Sequence, residues 1–399
     1  MNKNSFLTIT IKPRMGKRAK SGHPWIFSNE IGHPSPKPES GELVSVLDEG
    51  GSFLGYASYN PHSLIALRLL SRDVNAVPGS VEWFAQKFRA AAALRQRFYP
   101  SRRSYRLAYA DSDGLPGLAI DRYEDVLALQ IQTAGMERWL DLIAEALKRV
   151  INPAAIVLRN DSDIRKLEGL SLYSKVLYGN APETVEIEEN GVKLAVDILS
   201  GQKTGHFFDQ ADNRAALAPF VKEAEVLDLF CHTGAWALKM LSAGARHAAV
   251  LDSSESALAL ARRNAELNGF AQRMEFIQSD AFTWLSSARR ERRVFDAVVV
   301  DPPAFAKSAK QIKNALRGYE DVNRQAIRAV KDGGLLCSCS CSYYITEDEF
   351  LALLQRAAAR ERKRIAVLQV RGQAMDHPIL LAMPESRYLK CVIGVVESL

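Results

Sequence analysis

The sequence predicts an α/β protein whose C-terminal half is a doubly wound parallel sheet, preceded by a small β-barrel domain and a central α+β domain. Three observations carry this. Beyond residue 186, apolar runs of strand length at 226–230, 248–251, 274–277, 297–300 and 335–338 alternate with helical patterns. The stretch Val226-Leu-Asp-Leu-Phe-Cys-His-Thr-Gly-Ala235 reads as strand, tight turn and helix, and the next apolar run closes on Asp252. Residues 1–73 hold short alternating segments punctuated by Gly, Pro and Ser, the pattern of a small β unit.

Taken in chain order, the first domain has its alternating segments at 7–12, 42–47 and 64–69. Between them, Lys12, Arg14, Lys17, Arg18 and Lys20 lead to Gly22-His-Pro-Trp-Ile-Phe27. Cations beside aromatics suit an RNA backbone and its bases, so the basic residues are expected to face RNA. Trp25 and Phe27 are expected to fill the barrel core. Residues 73–80 have linker chemistry, and 83–98 follow as an amphipathic helix. From 104 to 185 a turn at Asp113-Gly-Leu-Pro-Gly117, a strand at 126–131, a helix at 136–150 and a strand at 155–158 indicate the central unit. The expected domains are therefore 1–73, 80–185 and 186–399. The basic tract 356–364 reads as a solvated helix face.

At 399 residues, with 47% hydrophobic and 25% charged, the chain has the composition of a globular protein. Its formal charge of +6 mildly favours a polyanionic partner. Five cysteines, three of them packed into Cys337-Ser-Cys-Ser-Cys341, form no disulfide framework, and a reducing cytoplasm is expected. No apolar run approaches the roughly 20 residues that span a bilayer, and no metal-ligand spacing is evident.

The first turn selects the cofactor. A dinucleotide site needs several glycines so that backbone can approach a pyrophosphate, whereas this turn keeps Gly234 and fills the rest with Cys231, His232 and Thr233. S-adenosylmethionine has a ribose for an acidic residue to hold and no phosphate, so it fits better. Asp228, Phe230, Thr233 and Gly234 are the turn's candidate binding residues. Asp252, after the second strand, is placed to accept from ribose hydroxyls, though it could equally cap the next helix. Asp280, after the third strand, is a candidate for the adenine amino group or a plain N-cap. In Gly201-Gln-Lys-Thr-Gly-His-Phe-Phe208, Phe207 or Phe208 can cover the adenine, with Lys203 or Arg214 orienting an anionic group. Asp301-Pro-Pro-Ala-Phe305 follows the fourth strand, where two prolines stiffen the loop and hold the Asp301 carboxyl toward a ligand. Cys341 is the candidate nucleophile. Cytosine C5 is too weak to take a methyl group unaided, and addition of a thiolate at C6 makes it an enamine carbon.

At these residues the chain resembles the bacterial 23S rRNA (cytosine-C5) methyltransferase I family, a class I S-adenosylmethionine-dependent group, over essentially its whole length. Lys12-Pro-Arg14 and Gly22-His-Pro-Trp-Ile-Phe27 match the family's N-terminal PUA domain. Gly201-Gln-Lys-Thr-Gly205, Asp209-Gln210, Asp301-Pro-Pro-Ala-Phe305, Ser340-Cys-Ser342, Asp376-His-Pro378, Pro384-Glu385 and Tyr388-Leu-Lys390 look like its signatures. The resemblance implies a Rossmann-like methyltransferase sheet and a 5-methylcytosine product in 23S rRNA or its large-subunit precursor. It also implies Cys341 as nucleophile and Asp301 near N3 of the base. A homodimer is left open. Where many cytosine-C5 methyltransferases carry a Pro-Cys, this chain has Asp301-Pro-Pro, so a second cysteine for product release has no counterpart; Cys339 is the alternative nucleophile. Two other readings stand beside this one: methylation of a base amine, suggested by the Asp-Pro-Pro-Phe-like loop, and a non-catalytic RNA-binding or ribosome-assembly factor.

Overall fold

The computed structural model describes residues 6–32, 36–201, 204–306 and 308–399. The chain folds as two compact units. Met1–Val185, Val196–Phe208 and Met375–Ser386 make the first, and Glu186–Ala195, Asp209–Ala374 and Arg387–Leu399 make the second.

The first unit holds two five-stranded sheets. One has the strand order Thr8–Thr10, Leu43–Leu47, Phe53–Tyr59, Leu67–Ser71, Trp25–Ile26, around a core of Ile9, Ile26, Val44, Val46, Ala57 and Leu67. Trp25 and Phe27 do not fill that core. Side chains alternate along a strand, and Ile26 takes the inward position while its two neighbours stay half-buried. Trp25 Nε1 instead donates to Asp111 at 2.9 Å.

The second sheet runs Tyr173–Gly179, Ala155–Asn160, Val126–Ile131, Leu118–Tyr123, Tyr105–Tyr109. Helices Val81–Phe98 and Leu140–Ile151 bury Phe84, Phe88, Ile143 and Leu147 in the same core as Ile120, Leu127 and Leu129. Ser80 starts the first helix by accepting from Trp83 N at 3.1 Å. The helix expected at 136–150 is interrupted at Trp139, which lies between Ala134–Arg138 and Leu140–Ile151 and turns its ring toward Phe84, 5.7 Å away.

Two segments expected to belong with the C-terminal sheet are built into this first unit instead. Tyr123 OH lies 3.4 Å from Thr204 Oγ1 and accepts from His206 N at 3.1 Å, and the Phe208 ring packs 5.3 Å from that of Tyr123. Asp376 accepts from Arg106 N at 2.9 Å through its carboxylate, while its carbonyl accepts from Arg95 at 2.7 Å. Buried polar groups must find such partners, and these find theirs far away in sequence.

The second unit is built on one seven-stranded sheet: β1 (Glu225–Leu229), β2 (His247–Asp252), β3 (Met274–Gln278), β4 (Phe295–Val300), β5 (Val330–Ser340), β6 (Lys363–Arg371) and β7 (Lys390–Ser398). Their spatial order is β3-β2-β1-β4-β5-β7-β6, and only β7 runs against its neighbours. Helices α1 (Ala235–Ser242), α2 (Glu255–Leu267), α3 (Ala281–Arg290), α4 (Ile312–Ala329) and α5 (Glu347–Arg360) connect the strands. β1, β2 and β4 are almost continuously apolar because helices cover both faces of a parallel sheet. The strand order reverses at the β1–β4 pair, so a crevice opens at their carboxyl ends. β7 is antiparallel to β5, with Lys390 opposite Ser340, and its first residue therefore returns to that same edge. The strands β6 and β7 were not expected from the sequence. The tract 356–364 straddles the end of α5 and the start of β6, so it is not one helix face. Among the described residues no helix is long and apolar enough to cross a membrane.

Candidate active site at the carboxyl edge of the sheet

The turn from β1 into α1 is shaped by three left-handed residues, Phe230 (φ 63°), His232 (φ 49°) and Gly234 (φ 77°). The first two are strained for side chains with a Cβ, and such conformations persist where the surroundings enforce them. The enforcing contacts are visible. Asp252 at the end of β2 accepts from His232 N at 2.9 Å through one oxygen and from Ser254 N at 2.9 Å through the other. Asn264 on α2 donates to the Thr233 carbonyl at 3.1 Å. Asp252 is thus a brace for the turn as well as a ribose candidate, while Ser254 is the N-cap of α2.

Asp228 lies on β1 and is wholly buried. One carboxyl oxygen accepts from Ala237 N at 3.1 Å; the other, among the described residues, has no partner. Burial, then the neighbouring carboxyls of Asp301 and Asp252, push its pKa to about 8. This unsatisfied oxygen beside a glycine-poor turn fits the ammonium and ribose chemistry of S-adenosylmethionine better than a pyrophosphate. Between about pH 4 and pH 8 Asp228 is protonated when folded and ionised when unfolded, so stability is lost as pH rises toward the folded value. Asp228→Asn cannot ionise. Its melting temperature should gain on the wild type's progressively between those limits and stop gaining above them; parallel melting curves across that range would refute this.

Asp301 leaves the end of β4 toward the same crevice. Gln210 Nε2 donates to its Oδ1 and Trp236 Nε1, from α1, to its Oδ2, both at 3.0 Å. Burial, with Asp209 adding negative charge nearby, raises its pKa to about 8. At neutral pH it is therefore mainly a carboxylic acid, with two neutral donors holding its oxygens and a proton of its own to give. The sequence reading missed Gln210 as a site residue, although it stands in the Asp209-Gln210 motif. Trp236 had no local signal, since any large residue fits the first turn of α1.

Cys341 follows β5 directly. Of the five cysteines it alone is partly exposed; Cys231, Cys337, Cys339 and Cys391 are buried. Cys337, Cys339 and Cys391 bring their sulfurs within 4.8 Å of one another inside the sheet, a grouping that the sequence spacing did not suggest. Burial pushes the thiols of Cys337 and Cys339 well up, which keeps them uncharged. Cys341 Sγ lies 3.9 Å from the Pro302 carbonyl, facing the loop that carries Asp301. Tyr319 of α4 shares a 2.9 Å hydrogen bond with Ser342 Oγ, which also accepts from Ala306 N at 3.2 Å. On the other side Lys390 Nζ, buried, donates to the carbonyls of Ser342 (2.6 Å) and Tyr388 (2.9 Å).

The remaining candidates fall elsewhere. Asp280 is exposed and caps α3, accepting from Thr283 N at 3.0 Å, which is the plainer of its two expected roles. Arg214 is committed to a buried two-pronged pair with Glu189 at 2.7 and 2.8 Å, so orienting a substrate anion is not its job. Phe208 is core in the first unit; Phe207, half-buried, belongs to that unit too. Lys203 lies outside the described residues. Lys12, Arg14, Lys17 and Arg18 are all exposed on the first unit; Arg18 pairs with Glu385 at 2.6 Å.

Comparisons with known proteins identify the family and the fold. A PUA-like domain model matches residues 9–72, and an S-adenosylmethionine-dependent methyltransferase model matches residues 170–373. A protein of Shewanella denitrificans named ribosomal RNA large subunit methyltransferase I is 38% identical over 98% of this chain and 99% of its own. The protein of the same name from Alteromonas mediterranea is 36% identical over the same shares. A methyltransferase solved in complex with SAH has the same fold, with a TM-score of 0.84 at 23% identity over 98% of this chain and 100% of that one. The PUA-like first domain, the braced β1–α1 turn and the near-full-length likeness converge: the chain belongs to the ribosomal RNA large subunit methyltransferase I family, whose cofactor is S-adenosylmethionine.

Proposed function

We propose that this chain forms 5-methylcytosine in 23S rRNA, or in the large-subunit precursor, through a covalent adduct at Cys341. The observation that carries the reading is the Cys341 thiol, partly open and facing the Asp301-Pro-Pro loop. S-adenosylmethionine, when bound, supplies an electrophilic methyl carbon. Asp228, Thr233, Gly234 and Asp252 are the residues that would hold it, with Phe230 shaping the turn. The Cys341 thiolate adds to C6 of the cytosine, and Asp301, as an acid, donates to N3 and spreads the resulting charge. C5 then takes the methyl group. Loss of the C5 proton to a base re-forms the double bond and expels the thiolate, and N3 returns its proton to Asp301, so no atom of the enzyme is consumed. These groups come from one chain, and the chemistry calls for no second copy.

RNA containing 5-fluorocytosine is the direct test, because fluorine at C5 cannot leave as a proton. A protein–RNA adduct that survives denaturation and maps to Cys341 is expected; its absence during active turnover would remove the covalent mechanism. A second reading, methylation of a base amine, is favoured by the Asp301-Pro-Pro-Ala-Phe305 loop, and mass analysis of the product nucleoside separates the two. Turnover of either kind excludes a purely RNA-binding factor. The reaction belongs where rRNA is made and assembled, in the bacterial cytoplasm.

The exposed Lys12, Arg14 and Lys17 should contact phosphates. The triple alanine variant is expected to flatten the dependence of log affinity on log salt by about two units, from roughly 0.7 per lost single-strand contact. An unchanged slope would place RNA on another surface.

A further inference from the structure

We propose that Lys390 is a positioning residue for Cys341: it holds the proton that leaves the thiol, so that thiolate is present at the site before the base arrives. The inference rests on the reading of Cys341 as nucleophile. It starts from topology. β7 is antiparallel to β5, and the pairing of Ser340 with Lys390 sets the lysine beside the residue that precedes Cys341. From there Nζ reaches the carbonyl of Ser342, the residue that follows Cys341, at 2.6 Å, and that of Tyr388 at 2.9 Å. The lysine therefore ties the residue after the cysteine to its own strand entry at Tyr388.

Such a lysine needs an electrostatic reason to be where it is, since it is only 4% exposed and, among the described residues, no carboxylate pairs with it. Two carbonyls satisfy two of its N–H groups. In the neutral amine the nitrogen lone pair is left to accept a proton; in the ammonium a third N–H is left to donate. A thiol and a thiolate, respectively, complement those two states. Proton transfer from Sγ to Nζ exchanges one for the other with no net change of charge in a poorly hydrated site. Burial lowers the lysine pKa to about 8, close to that of a free thiol, and the negative charge of Cys341 acts to raise it again.

The other charged and titratable groups around the pair work less directly. Arg387 disfavours charge on Lys390, while Glu347 and Glu349 at the start of α5 favour it. Glu347 is itself engaged by Arg387. Tyr319, from α4, is pushed to about 12 by burial and by the Cys341 charge, so it stays a neutral phenol, and Asp301 on the facing loop stays mainly protonated. Lys390 is a cation placed to balance a thiolate, since its Nζ is bound to the residue next to Cys341. When the base has been methylated and the thiolate is expelled, the same ammonium can return the proton, closing the cycle.

The test is the pH profile of Cys341 alkylation by iodoacetamide in the full-length protein without RNA, read by mass analysis of the Cys341 peptide. It does not depend on which nucleoside the enzyme makes. The wild-type profile should be half-maximal at least one pH unit below that of Lys390→Met, so that at neutral pH the variant alkylates about tenfold more slowly, since thiolate fraction changes tenfold per unit. Lys390→Arg should restore most of the rate by restoring the charge. Coincident profiles for wild type and a Lys390→Met protein with an unchanged melting temperature would overturn the proposal. If that variant does not fold, the wild-type profile alone decides: a half-point at or above about 8.5, the value of a free thiol, overturns it as well. Failure here with an intact 5-fluorocytosine adduct would leave the covalent mechanism standing and remove only the role of Lys390.

Discussion

Cys341→Ala is expected to lose methyl transfer by on the order of a thousandfold or more, the scale on which loss of a covalent nucleophile is felt. Affinity for S-adenosylmethionine should stay within about twofold, because the residues proposed to hold the cofactor lie on β1, β2 and their turn, while Cys341 follows β5. Stability should change little: the side chain is partly exposed and its contact with the Pro302 carbonyl is a long one. Cys339→Ala makes the contrasting case. It opens a small void in the buried group of Cys337, Cys339 and Cys391, and should cost about 1 kcal/mol of stability while leaving turnover nearly intact. Single-turnover assays with isothermal titration of the cofactor measure both halves of this expectation. Full activity in Cys341→Ala, or its loss in a folded Cys339→Ala, would reassign the nucleophile.

Glu189→Gln should destabilise the protein by about 3–5 kcal/mol, the usual consequence of removing one partner of a buried ion pair. Arg214 and Glu189 are 3% and 4% exposed and meet through two short bonds, so the substitution takes the paired carboxylate charge from a buried guanidinium in the second unit. The less compensated cation would also act on the site. Asp301 and Asp209 already lie within reach of its field, and with Glu189 neutral Arg214 would draw Asp301 toward the carboxylate form, lowering its pKa from about 8. Urea denaturation measures the first effect. A double variant, Glu189→Leu with Arg214→Met, should recover much of the loss because no charge is left unpaired. A change below about 0.5 kcal/mol in Glu189→Gln would show that water, not protein, solvates the arginine.

Local pattern made much of the architecture legible. The strands β1 to β4 and the site residues at their ends could be placed because each parallel strand is a short apolar run followed by a chemically distinctive turn. β6 was hidden because none of its side chains is buried and basic residues flank its apolar run, and β7 because no turn signal announces it. The same limit applied to Trp25, Phe208 and Arg214. Each has a residue type suited to ligands, and each is engaged by a partner that lies far off in sequence: Asp111, Tyr123 and Glu189.

The sequence by itself determined the kind of chemistry: a turn too crowded for a pyrophosphate, an acidic residue after each of three strands, and a cysteine beside a rigid proline loop. Those properties are carried by consecutive residues and survive any folding of the rest. Only the tertiary structure decided which groups are available. It closed Cys339 inside the sheet and left Cys341 open, it held Asp301 between Gln210 and Trp236, and it brought Lys390 to Cys341 by running β7 against β5. Burial and charge balance are set by contacts between distant segments, and a proton's position at this site follows from those contacts more than from the identity of the residue that carries it.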